Sequence, residues 1–98
     1  MPRMPWNQTV HDRKVSELAN QLSARGAAVN ADVPGWPQPG VILGYRPDIH
    51  AVNGGELVVE VETTDSVNDQ HSLNQRSAFE TWARQAPWSR RFELIVAR

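Results

Sequence analysis

The sequence predicts a small α/β protein, a single domain over residues 1–98 whose elements run α–β–β–β–α–β. Three observations carry that prediction. Two stretches place apolar residues at helical spacing, others alternate as strands do, and an Asn53-Gly54-Gly55 turn joins two of the alternating stretches.

Residues 9–25 put Val15, Leu18, Ala19 and Leu22 on one stripe, at i, i+3, i+4 and i+7, which predicts the first helix. Thr9 followed by Asp12 resembles a capping box at its start, and Gly26 suits the residue that ends a helix. Ala27 to Val33 then reads as a short strand. Pro34, Pro37 and Pro39 fix φ and remove backbone donors, so residues 34–40 form a loop with Trp36 as its anchor. Tyr45 to Val52 and Glu56 to Thr63 are two strands of a hairpin. In the second, Leu57, Val59 and Val61 share one face, and Val58, Glu60 and Glu62 the other. Ser66 offers an N-cap for a helix from Val67 to Ala86, stopped by Pro87, with Phe79, Trp82, Ala83 and Ala86 as its buried stripe. Arg91 to Ala97 closes the domain as a strand. Its apolar residues, Phe92, Leu94 and Val96 on one face and Ile95 and Ala97 on the other, predict cover on both sides.

Composition bounds the class of protein. The chain is 40% hydrophobic with four Trp, which fits a folded globule, and a core this small favours a partner subunit. It contains no cysteine, which removes disulfides and thiolate metal sites. There is no long apolar run to span a membrane and no apolar segment at the start to act as a secretory signal, so a cytoplasmic protein is expected. The net charge of −1 is unevenly spread: residues 31–69 hold seven acids against Arg46 alone, between basic flanks. Basic flanks around an acidic middle suit a phosphate-contacting rim around a cation-loaded pocket, and equally suit ordinary solvated charge.

Asp48, Glu60 and Glu62 are the candidate chemical groups, and hairpin register decides whether they meet. A two-residue Asn53-Gly54 loop would put the acids on opposite faces. A three-residue Asn53-Gly54-Gly55 loop, with Gly55 taking the positive φ, pairs Val52 with Glu56 and therefore Asp48 with Glu60. The expectation is the three-residue loop. Three clustered carboxylates repel one another unless a cation neutralises them, and hard oxygen donors suit Mg²⁺ or Mn²⁺. The Val61 carbonyl is a further candidate ligand. Such acids also occur on the plain solvated face of a hairpin.

The string Arg46-Pro47-Asp48-Ile49-His50-Ala51, followed by Glu56-Leu57-Val58-Val59-Glu60-Val61-Glu62, resembles the PD-(D/E)XK nuclease superfamily, most closely its archaeal-type Holliday-junction resolvase branch. The resemblance covers almost the whole chain and implies a restriction-endonuclease-like αβββαβ core, with a mixed sheet flanked by helices. It implies that Asp48 and Glu60 are the two metal-binding acids of a phosphodiester-cleaving site that leaves a 5′-phosphate. In one respect the chain departs from the family: Glu62 stands where the motif has a lysine. Some restriction enzymes of the superfamily carry a glutamate there, as an extra metal ligand or a general base. The single lysine of this chain, Lys14, lies on the first helix.

The carboxylate cluster taken with the resemblance implies a Mg²⁺- or Mn²⁺-dependent endodeoxyribonuclease, with Asp48, Glu60 and Glu62 as catalytic groups and those three with Val61 as metal ligands. Glu17, Lys14, His50, Gln75 and Arg76 are candidates to support that site or touch substrate. His71 is a candidate for proton transfer, while Arg84, Arg90 and Arg91 could contact phosphates and Trp36 or Trp88 could stack on a base. Each also has an ordinary structural role open to it. The expected partners are DNA, in branched or other structured form, and a second copy of the chain; no membrane partner is expected. The alternative is a non-catalytic domain of the same fold that binds nucleic acid or protein.

Overall fold

Helix α1 (Pro5–Ala24) comes first in the computed structural model, which describes residues 5–98. Met1 to Met4, including basic Arg3 and the start of the segment read for a leader, lie outside the described residues. The helix begins earlier than Thr9. Proline fits a first helical turn, where no N–H is required, and Thr9 and Asp12 lie inside the helix rather than at its cap. Asp12 instead accepts a hydrogen bond from Gln8 Nε2 at 2.8 Å. Gly26, at φ +97°, ends the helix as expected: its N–H donates to the Ser23 carbonyl and that of Ala27 to Leu22, a Schellman pattern.

The strands are β1 (Ala28–Ala31), β2 (Ile49–Val52), β3 (Glu56–Thr63) and β4 (Arg90–Ala97), with α2 (Gln70–Arg84) between β3 and β4. β1 stops at Ala31, before the expected Val33, where the chain enters the proline loop and Ala31 N–H turns to the Pro37 carbonyl. β2 starts at Ile49 rather than Tyr45, because Pro47 supplies no donor and Tyr45 pairs back onto Ile42. Asp48 therefore sits at the mouth of β2, just outside it. The predicted cap of α2 is also corrected. Asp69, not Ser66, caps the helix by accepting the His71 N–H, and Ser66 spends its hydroxyl on Glu62, so α2 begins at Gln70. The helix ends at Arg84, two residues before the expected Ala86.

The sheet is mixed, in the order β1-β2-β3-β4, with the first two pairings antiparallel and β3–β4 parallel. Val52 pairs with Glu56 and Ile49 with Val59, the register of the three-residue loop. The positive φ expected at Gly55 falls on its neighbour instead. Gly54 takes the positive φ, at +79°. Gly55 is needed for closeness, since a Cβ there would stand 2.9 Å from the Ser89 carbonyl oxygen. That carbonyl accepts the Glu56 N–H at 2.7 Å and ties the hairpin turn to the entry of β4.

Alternation on β3 divides the interior. Val59 and Val61 join Val15, Ala19, Ile49, Ala51 and Ala97 beneath α1, with Trp36 packed against them. Val58 packs with Phe79 and Trp82 of α2, and Phe92, Ile42 and Tyr45 lie against that group. Beyond Val58 the same face of β3 carries Glu60 and Glu62, both buried. Apolar cover gives way there to a polar cleft. Among the described residues, no helix is long and apolar enough to cross a membrane.

Candidate functional site

A cleft of about 340 Å³ opens at the end of the sheet where β2 begins and β3 ends. Gln8, His11 and Asp12 of α1 form one wall, Asp32 and Arg46 of the β1–β2 connection another, and Asp69, His71, Ser72 and Gln75 at the start of α2 a third. Asp48, Glu60, Glu62 and Ser66 complete the lining. Six carboxylates thus face one space together with a single arginine, Arg46.

Asp48 stands one residue before the Ile49–Val59 pair, just outside the ladder, and meets Glu60 on the cleft side through a hydrogen bond. The two residues grip each other through the backbone. Asp48 N–H donates to Glu60 Oε1 at 2.9 Å, and Val61 N–H donates to Asp48 Oδ2 at 2.8 Å. An extended residue presents its N–H and C=O to the same side, so the Val61 carbonyl faces the same edge as Asp48. The Val61 side chain points the other way, into the core beneath α1. Glu62 is 2% exposed, and one of its oxygens accepts the Ser66 hydroxyl at 2.6 Å.

His11, Asp12, Asp32 and Asp69 are among the lining residues that the sequence reading did not place at the site, and His11 makes the most direct contact with it. His11 is 5% exposed, with Nε2 3.2 Å from Asp48 Oδ2 and Nδ1 2.9 Å from Asp12 Oδ1. Gln8 reaches the same Asp12 oxygen. A polar chain therefore runs from α1 into the Asp48–Glu60 pair, with an imidazole oriented from behind by a carboxylate, an arrangement that fixes ring direction. A signal was present: His11 lies four residues before Val15, on the line of the buried stripe, and Asn7, also buried, lies four before His11.

The other candidates divide. Gln75 and His71 line the cleft. Glu17 and Lys14 do not; they are 3.5 Å apart on the outer face of α1. His50 is on the Glu60 face but nearer the turn, 2.8 Å from Glu56 and edge-on to the Trp82 ring. Arg76 donates to the Val67 carbonyl and braces the segment before α2, while its buried Nε finds no partner among the described residues. Arg90 lies over the Trp82 ring and reaches Glu56, at the far end of the sheet from the acids. Arg84 pairs with Glu80 and Arg91 with Glu93. Trp88 is exposed and Trp36 half-buried.

The donor chemistry of the cleft fits a hard divalent cation: all-oxygen carboxylates, a neighbouring imidazole and a nearby backbone carbonyl. In the conformation described, no three His, Asp or Glu side chains among the described residues already form a group that could hold a metal ion. Compared with known protein families, with characterised proteins and with solved structures, the chain finds no match.

Proposed function

We propose that this domain is a metal-dependent endonuclease that hydrolyses phosphodiester bonds of DNA at the Asp48–Glu60 pair. The observation that carries the proposal is the meeting of those two residues, joined by the Asp48 N–H to Glu60 Oε1 hydrogen bond, in a cleft with four further acids. The αβββαβ order, with an antiparallel β1–β2–β3 and a parallel β4, supports a restriction-endonuclease-like core. Asp48, Glu60 and the Val61 carbonyl would hold Mg²⁺ or Mn²⁺, with Glu62 as an added ligand or base. The bound ion would polarise the phosphodiester and lower the pKa of attacking water.

The chain's own part is positioning. Val61 N–H and His11 fix one oxygen of Asp48, while its other oxygen has no hydrogen bond among the described residues. Asp48 N–H fixes one oxygen of Glu60. Gln75 and His71, on the opposite wall, can reach a phosphate lying in the cleft. A domain this small offers little surface to a structured DNA, so the enzyme would work as a homodimer carrying two sites.

A second reading has its own observation. Glu62 stands in place of a lysine, and its side chain is buried and bonded to Ser66. That arrangement favours a domain of the same fold that has ceased to cut and binds nucleic acid or a protein partner. Nicking of supercoiled plasmid separates the two. The enzyme nicks with Mn²⁺ and loses the activity in Asp48→Asn; salt-sensitive DNA binding without nicking selects the binding domain.

A further inference from the structure

The connection from β1 to β2 ends in a tight turn beside the cleft, and that turn is costly as built. Ile42 N–H donates to the Tyr45 carbonyl at 2.7 Å and Tyr45 N–H to the Ile42 carbonyl at 3.0 Å. Between them Leu43 has φ +49° and Gly44 φ +91°. Two positive φ values are the type I′ pattern, which favours Asn, Asp or Gly at the first position. Leucine has no polar side chain to compensate for the left-handed conformation. Among the described residues Leu43 is the one non-glycine with positive φ. It is also half exposed, as is Val41 beside it. An Asn-Gly turn would reverse the chain without strain and without apolar exposure.

The base of the turn is packed and hydrogen-bonded, and it adjoins the cleft. Ile42 and Tyr45 pack on the Val58–Phe79–Trp82 cluster, and the Tyr45 ring meets the cleft-lining His71 ring edge-on at 5.7 Å. Arg46, also in the cleft lining, donates to the Pro39 carbonyl and closes the loop behind the turn. Leu43 is three residues from Arg46, at most about 11 Å of extended chain. From Pro37 to Tyr45 the chain carries no charge, so this tip can approach phosphates without adding repulsion.

We propose that Leu43 is an apolar wedge that enters the base stack of DNA held at the cleft, opening one step beside the bond to be cut. The proposal rests on the nuclease function given above and adds the deformation that the substrate must undergo. One aliphatic side chain on a stiff two-residue turn matches a single base step, where such residues unstack and kink a duplex. It is far too small for a specific protein interface, which buries on the order of 1,200 Å² or more. Backbone strain retained at an exposed apolar position is accounted for by a use at that position.

The test uses duplexes and four-way junctions carrying 2-aminopurine at a central step, with Ca²⁺ replacing Mn²⁺ so that DNA is bound without cleavage. Binding is followed by anisotropy and unstacking by 2-aminopurine fluorescence. Wild type should raise the fluorescence several-fold on at least one substrate. Leu43→Gly, which relieves the strain, should melt at the same or a higher temperature, still bind, and leave the fluorescence at its free-DNA level. An equal rise in Leu43→Gly, or wild-type binding and plasmid nicking with a silent probe, overturns the wedge alone. Failure of wild type to bind any of these DNAs overturns the wedge and the nuclease function together.

Discussion

Asp48 is oriented from two elements at once, by the Val61 amide of β3 and by His11 of α1. Neither contact needs a ligand to exist, so the acid is pre-positioned in the free protein. Asp48→Asn keeps an acceptor for the Val61 N–H and should preserve the fold, while plasmid nicking falls by more than about 100-fold, the upper end for groups that merely orient ligands. His11→Ala removes the brace but no proposed ligand. Its nicking rate or Mn²⁺ affinity should fall by about 10- to 100-fold, with a circular dichroism spectrum like that of wild type. An unchanged rate would reduce His11 to a packing role. At this scale the sequence was legible for the acids, because parity across a hairpin is a counting argument. It was not legible for His11, because a pairing between α1 and the mouth of β2 is set by helix placement, which local periodicity does not specify.

The β2–β3 hairpin is the element on which the site depends, since a slip of one residue would send Asp48 to the opposite face from Glu60. Its two glycines guard the register by different means, and substitution separates them. Gly54→Asn should be nearly neutral, because asparagine tolerates positive φ. Gly55→Asn brings a Cβ against the Ser89 carbonyl, a backbone atom, and should cost about 1–3 kcal/mol in urea unfolding. Equal losses in the two variants would contradict this division. The alternating and 3.6-residue patterns located every element, and β3 matched its expected limits, with both faces buried from Val58 to Thr63. The errors fell at ends. Pro47 shortened β2, and Ser66 was drawn from capping α2 to holding Glu62, leaving Asp69 as the cap. Local propensity yielded there to the demands of a buried carboxylate.

For the whole molecule, charge and shape are organised about the end of the sheet. Five of the seven acids of residues 31–69 line one cleft there, while Glu56 lies with Arg90 at the opposite end, where β4 begins. A site so negative gains from a cation before it can accept phosphate, so DNA binding should strengthen on adding Ca²⁺ or Mn²⁺ and weaken with rising salt. Sedimentation equilibrium should give twice the mass of the chain; a monomer at all concentrations would contradict the dimer and leave the single site intact. The central claim, that Asp48 and Glu60 hold a divalent cation, is tested most directly by calorimetric titration of the protein with Mn²⁺. The expected result is binding at millimolar concentration or tighter in wild type and its loss in folded Asp48→Asn. No heat of binding in wild type, or the same isotherm in both proteins, would contradict it.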